Sequence, residues 1–386
     1  MRMKRVGWGR VTAMLALAVL TALAWLRPPE TGTDSAWQEA ARRTAQQLHA
    51  QARQAALAGD PSTLARPDGY LYAIDLSQLA LYATQHRDAA LYEALQQLLV
   101  EHFLLDDPDD PFTRGFIAWR WRPGAPLEAS GTTEMLRTAE ALWHASDAFH
   151  RPQDRQLAQT ILQGYARHQA VDQGVWLIRN YFNLDTRAFA TNSYLIDYDP
   201  DFLMQAAQAT GDAQLLHAAQ QSARMVQRAR TPAGLLHQII QPELLTLMPV
   251  PGSVFSANNV ESLANAAAVA QRSAHSCPQT ARSVLQFALA RLPHLHAFYD
   301  AATGEPADQA LAGIQTLAPL VCLAIKLDDA QALAQLRPAF LQEAQALAAS
   351  PEPAGKRLYL ISEALLALEA LHRWEKEHAA AELAGE

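Results

Sequence analysis

AWRWRPGAPLEASGTTEMLRTAEALWHASDAFHRPQDRQLAQTILQGYARHQ, residues Ala118–Gln169, decides the fold. It opens as a long soft connection, turns helical near residue 132, breaks at FHRPQ and turns helical again at 152. Apolar residues in both helical parts recur at spacings of three and four, the period of an amphipathic helix, and no sustained period-two run competes. The same alternation continues outward in both directions. Helices are predicted at 36–59, 70–85, 88–105, 132–149, 152–170, 198–210, 212–229, 256–273, 278–292, 307–327, 328–349 and 356–377. Short polar links, QHRD, FHRPQ, ATGD, SAHSCP and KLDD, carry Gly, Pro or Asp as breakers. Long ones fall at 106–131, 171–197, 230–255 and 293–306, with shorter members at 60–69 and 350–355. Six antiparallel pairs that close into a ring put every long connection at one end. The fold class is therefore all-α, an (α/α)6 toroid of six helical hairpins, with residues 28–386 as one domain. The helix after each long connection is the inner one, and its N-terminus faces the loop end, where functional residues collect. An open helical array is the alternative, but no shared repeat motif supports it.

Bulk properties narrow the function. The chain has 386 residues, half of them hydrophobic, and a formal charge of −8. That suits a large helical core. No basic block occurs beyond the N-terminus, so a nucleic-acid partner is not expected. MRMKR followed by the apolar run Val11–Leu26, with Ala22-Leu23-Ala24 in small-x-small form, reads as a signal peptide or membrane anchor over 1–27. Either places the body of the protein outside the cytoplasm, in the periplasm or secreted, or held at the inner membrane. Cys277 and Cys322 either pair or remain two buried thiols. There is no Gly-x-Ser-x-Gly elbow, no phosphate-binding glycine loop and no His-Glu-x-x-His, and no metal or cofactor is expected.

The long loops carry the candidate site. Trp119 and Trp121 alternate with Arg120 and Arg122, rings and cations of the kind that stack on sugar faces and bind hydroxyls. Thr132 or Thr133 is placed to cap the next helix. Glu134 then lies in the first turn, where the helix dipole and Arg137 should lower its pKa and suit it to an ionised role. The stretch Gly174–Leu203 adds Trp176, Arg179, Tyr181, Arg187, Asn192, Tyr194, Asp197 and Asp199. Asp199-Pro200 reads as a cap with Pro at the first helical position. Asp75, among apolar residues of the first inner helix, is the general-acid candidate. Ser256 is the expected cap of the eighth helix, near Asn258, Asn259 and Glu261.

These segments resemble bacterial glycoside hydrolase family 8, of the six-hairpin glycosidase superfamily. FIAWRWRPGAPLEASGTTEMLRTAEALWHAS looks like the family's Ala-Trp-Arg-Trp-like strand and Thr-Asp-Gly-Asp-rich helix start. NSYLIDYDPDFLMQAAQATGD is similar to its Asn-Pro-Ser-Tyr segment, with Tyr194 matching. DGYLYAIDLSQLALYATQHRDAALYEALQQLL sits where the family has its Ser-Glu-Gly-Gln-Gly-Tyr helix. The layout runs through most of residues 60–275 and implies an (α/α)6 barrel with inversion at the anomeric carbon. The catalytic letters depart. Asp75 stands near the family's acid without the Gly-Gln-Gly context. Thr132 falls on the first Asp of the second motif and Glu134 on the second. In PGSVFSANNVE, Ser256 replaces the Asp of the Tyr-Asp-Ala-x-Arg motif and Asn259 its Arg.

The expected function is thus inverting hydrolysis of a β-linked polysaccharide by an exported, monomeric protein tied to exopolysaccharide synthesis or export. Asp75, Glu134 and Asp197 are its catalytic candidates. Trp119, Trp121, Arg137, Trp176, Arg179, Asn192, Tyr194 and Asn259 are candidates for binding polysaccharide or oligosaccharide. A membrane glycan synthase or export complex is the expected protein partner. The alternatives are a non-catalytic glycan binder in an export system, and a lyase or epimerase using Tyr181, Arg179 and Arg187 on a uronate.

Overall fold

The computed structural model describes residues 31–172, 174–240, 255–256 and 260–385. The chain divides into two compact units, Met1–Thr44 and Ala45–Glu386. The expected signal or anchor, residues 1–27, lies outside the described residues. In the first unit the described residues form the start of helix α1 (Thr31–Ala56), where Glu39 pairs with Arg42 and Arg43. Everything below concerns the second unit.

Twelve helices occur among the described residues. After α1 come α2 (Ala73–His86), α3 (Ala89–His102), α4 (Thr132–Ala148) and α5 (Pro152–Ala166). Then follow α6 (Pro200–Thr210), α7 (Ala213–Arg228), α8 (Leu263–Arg272) and α9 (Pro278–Leu289). The last are α10 (Ile314–Lys326), α11 (Ala330–Ala349) and α12 (Leu358–Gly385). The short links work as their sequences suggest. Asp88, Asp212 and Asp329 each end one and cap the next helix, accepting from Leu91, Leu215 and Ala332 amides. Gly211 closes α6 at φ +72°, a left-handed conformation that glycine adopts without cost.

The even-numbered helices form the inner ring. Ser77 of α2 meets Thr138 of α4 at 2.7 Å. Gln78 bonds Glu363 of α12, and His86 bonds Glu369 at 3.0 Å. Contacts between α4 and α6 include Trp143 edge-on to Phe202, 6.1 Å between centroids, and Arg137 with Asp199. Arg272 of α8 donates to the Ile196 carbonyl just ahead of α6, at 3.0 Å. Helix α10 packs on α8 and α12 and completes the circle. Outside it, Gln47 and Gln51 of α1 both donate to the Ala348 carbonyl of α11 at 2.8 Å. This is the predicted (α/α)6 toroid.

The long connections are less plain than the sequence suggested. They carry six antiparallel sheets of two or three short strands among the described residues. Two helices accordingly start later than the predicted 256 and 307. Residues 260–262 pair with 298–300 instead, and α8 and α10 begin at Leu263 and Ile314. The cap of α8 is Ser262, not the expected Ser256. Strands this short have too few residues to show an alternating pattern.

Gly115 is at φ +82°, and a Cβ there would lie 2.4 Å from the Thr160 carbonyl oxygen. Gly124, at φ +76°, has nothing within 4 Å. Gly124→Ala should cost about 1 kcal/mol for the left-handed backbone alone. Gly115→Ala should cost more, by roughly 1–3 kcal/mol for the added clash. Thermal unfolding of the two variants checks this, and equal melting temperatures would refute the close packing of the loop on α5.

Candidate active site

The loop end gathers three carboxylates around the first turns of α2 and α4. Glu134 is half-buried and folds back over its own helix start. A Cβ on Gly131 would lie 1.8 Å from Glu134 Oε2, so only glycine leaves room for the carboxyl. The expected cap is corrected: neither Thr132 nor Thr133 caps α4. Thr132 donates to the Asn180 carbonyl at 2.8 Å, and Thr133 donates to Asp197 Oδ1 at 2.6 Å. Glu134 bonds its own backbone amide in their place.

Asp197 is 1% exposed. Its Oδ2 accepts the Tyr194 amide at 3.2 Å, and its carbonyl accepts the Tyr165 hydroxyl at 2.9 Å. Asp75, also 1% exposed, is gripped by the Arg66 fork, Nε to Oδ2 at 2.8 Å and Nη2 to Oδ1 at 2.6 Å. Burial raises Asp75 above the ordinary carboxylate range while Arg66 pulls against it. With both oxygens in that fork, Asp75 is poorly placed to hand a proton to a ligand.

The expected lowering of the Glu134 pKa is overturned. Burial pushes Glu134 up to about 7, helped by the charges of Asp197 and Asp75. Arg137 does not offset this, because its guanidinium goes to Glu140 and Asp199. Moving a carboxyl from 4.5 to about 7 corresponds to about 3 kcal/mol. A charge at a helix terminus supplies roughly 0.3–1 kcal/mol, so burial wins. Burial likewise lifts Asp197 to about 7, against the hydrogen bonds from Thr133 and Tyr194.

One wall beside these acids is a stack of rings and cations. Residues 71–72 pair with 120–121. Arg66 lies 3.9 Å over the Tyr72 ring, and Trp119 meets Tyr72 edge-on at 5.7 Å. Arg120 covers Tyr70 and Trp119 at 4.2 and 4.3 Å and binds Glu128 at 2.8 Å, and Arg122 covers Tyr70 at 4.5 Å. The tyrosine hydroxyl of residue 72 donates to Asp68 at 2.6 Å. Arg66, Tyr70 and Tyr72 were not singled out from sequence. Their cue was the Asp68-Gly69 turn, which fixes the approach to α2, with Gly69 at φ +79° and the Tyr70 amide on Asp68.

Other candidates are placed elsewhere. Trp121 stacks on His102 of the outer helix α3, 3.9 Å between centroids. Trp176 packs on Tyr198 and on His217 of the outer helix α7. Arg179 donates to the Ala190 carbonyl at 2.8 Å and pins its own loop. Arg187 is paired with Asp110, so the set expected for a uronate is not assembled. Arg137 is spent inside the barrel. Asn192 and Tyr194 are half-buried, and the Asn192 carbonyl accepts the Asn180 amide at 3.1 Å. Asp199 caps α6 as expected, accepting the Phe202 amide at 3.1 Å. Asn259 lies outside the described residues. Cys277 and Cys322 are free. No group of three metal-ligating side chains occurs among the described residues.

The ring of hairpins is a fold shared with solved structures of low sequence identity. Among solved structures, the endo-β-1,4-glucanase CMCax from Acetobacter xylinum superposes with a TM-score of 0.63 at 19% identity, over 86% of this chain and 98% of that one. A glycoside hydrolase family 8 protein from Teredinibacter turnerae, in complex with xylobiose, gives 0.56 at 16% identity, over 85% and 92%. PssZ from Listeria monocytogenes gives 0.56 at 15%, over 78% and 86%. The fold is shared with these proteins. No protein-family model matches the chain, and no curated protein sequence matches it.

Both raised carboxyls bear on stability. Between about pH 4 and 7 the folded chain keeps protons on Glu134 and Asp197 that the unfolded chain releases. Their contribution is full below the unfolded pKa and is lost as pH rises through 7. The double variant Glu134→Gln, Asp197→Asn cannot ionise at either position. Its melting temperature relative to the unmodified chain should rise by several degrees from pH 5 to pH 8. A difference independent of pH would refute the raised pKa values.

Proposed function

We propose that this chain is an exported glycoside hydrolase that cleaves a β-linked polysaccharide, in the service of exopolysaccharide synthesis or export. The observation that carries the reading is the Glu134 carboxyl, raised to about 7 at the start of an inner helix with two further carboxylates beside it. A general acid must hold its proton at the working pH and release it to the leaving oxygen. Glu134 therefore takes the acid role first considered for Asp75. Asp197, which burial also lifts to about 7, is the second carboxyl of the site. Thr133 and the Tyr194 amide aim donors at its oxygens and partly offset that rise. Once ionised, Asp197 favours an oxocarbenium-like transition state. Trp119, Tyr70 and Tyr72 with their arginines supply a wall on which a sugar ring stacks. The fold shared with a β-1,4-glucanase and a xylobiose-bound protein supports the same class of substrate. The apolar N-terminal run supports a periplasmic or membrane-anchored setting.

A second reading, a glycan binder that does not cut, is favoured by the 1% exposure of Asp197, which shields the second carboxylate from water. Reducing-end release from β-1,4-glucan, xylan, chitosan and uronate polymers separates the two. Hydrolysis of one polymer is expected, with kcat/KM falling as pH rises through 7. Glu134→Gln should lower turnover by about 10²–10⁴-fold. Gly131→Ala should lower it comparably while leaving the melting temperature nearly unchanged, since residue 131 sits at φ −114° and accepts any side chain except where the Glu134 carboxyl lies. Saturable binding without product would select the binder, and turnover that survives both substitutions would remove Glu134 from the mechanism.

A further inference from the structure

The inner helices do not fill the barrel axis. They enclose a cavity of about 930 Å³ that runs from Thr133 and Tyr359, in the first turns of α4 and α12, toward Gln208, Lys326 and His378 at the opposite end. Glu134, Asp75 and Asp197 do not line it, so it is separate from the acids described above. A water occupies roughly 30 Å³, and small-molecule sites span about 300–1,000 Å³. The space is of ligand size.

Its deep wall has unused hydrogen-bonding capacity. Gln78 is 7% exposed; its amide nitrogen donates to Glu363, and its Oε1 has no hydrogen-bond partner among the described residues. Arg137 is 7% exposed; its terminal nitrogens go to Glu140 and Asp199, and its Nε has no partner among the described residues. The charges of the deep wall are engaged, while Lys326 at the far end has no ion-pair partner among the described residues. Glu140 and Asp199 balance Arg137, and Arg272 donates to the Ala268 and Ile196 carbonyls at 3.2 and 3.0 Å. An ion would meet opposing charges on either side. What the wall lacks is a donor for the Gln78 oxygen and an acceptor for the Arg137 Nε, and a hydroxyl supplies both. Toward the mouth, Gln208 and Gln271 extend the lining with neutral amides.

We propose that the barrel axis is a second binding site, for a small neutral polyhydroxy compound of mono- or disaccharide size that enters from the end opposite the long loops. The site stands whether or not the loop-end acids hydrolyse glycan. Glucose, xylose, cellobiose and inositol are the probes, titrated calorimetrically into the full-length protein. Saturable binding of at least one is expected. Gln78→Leu removes the unbonded acceptor and should weaken it about tenfold or more. Gln208 is exposed at the mouth, so Gln208→Trp obstructs entry with little risk to folding and should abolish binding. Glu134→Gln should bind as the unmodified chain does. Binding that survives Gln208→Trp and Gln78→Leu, or that vanishes with Glu134→Gln, would place the compound at the loop end and overturn the proposal. Absence of saturable binding for all four probes would overturn it as well.

Discussion

A guanidinium clasped between two carboxylates, Arg137 with Asp199 and Glu140, is the contact on which the rest depends. It is buried, and breaking such a pair leaves an uncompensated charge at a cost of about 3–5 kcal/mol. It joins α4 to the start of α6, alongside the contacts of Trp143 and His144 with the Phe202 ring. It holds Asp199 where that residue also caps α6. It also draws the one nearby cation on α4 down the helix, away from Glu134, so that burial sets the protonation of that acid.

The two ends of the barrel are chemically distinct as a consequence. At the loop end, carboxylates crowd together with Arg66 as their cation, and that cation is committed to Asp75. Glu134 is left with its own amide, and Asp197 with a hydroxyl and an amide from its neighbours. Along the axis, Arg137 is balanced by Glu140 and Asp199, and the neutral amides Gln78, Gln208 and Gln271 share the lining. One end is arranged to hold a proton at neutral pH, the other to bond something uncharged.

The loop segments show how a short local pattern is decided by distant partners. Trp119 and Trp121 look equivalent in Ala118–Arg122, yet one meets Tyr72 beside the acids and the other stacks on His102 of an outer helix. Trp176 and Arg179 lie in a loop rich in polar and aromatic groups, and both are used up in holding that loop. Composition identified the loop as unusual. Which of its side chains remain free depends on carbonyls and rings that lie far away or on another strand.

Helical period and breaker residues by themselves determined the ring. Twelve amphipathic segments joined by alternating short and long links have one compact closure, and local physics writes those signals: Asp88, Asp212 and Asp329 cap, and Gly211 ends α6. Glu134, Asp75 and Asp197 were likewise readable as carboxyls near inner-helix starts. Their protonation was not. The sequence placed Glu134 at a dipole with Arg137 three residues on, which argues for a low pKa. Only the tertiary structure sends Arg137 to Asp199, locks Asp75 to Arg66 and places the half-buried Glu134 near the charge of Asp197. Desolvation depends on everything that surrounds a group, so it has no signature in the residues adjacent to it in the chain.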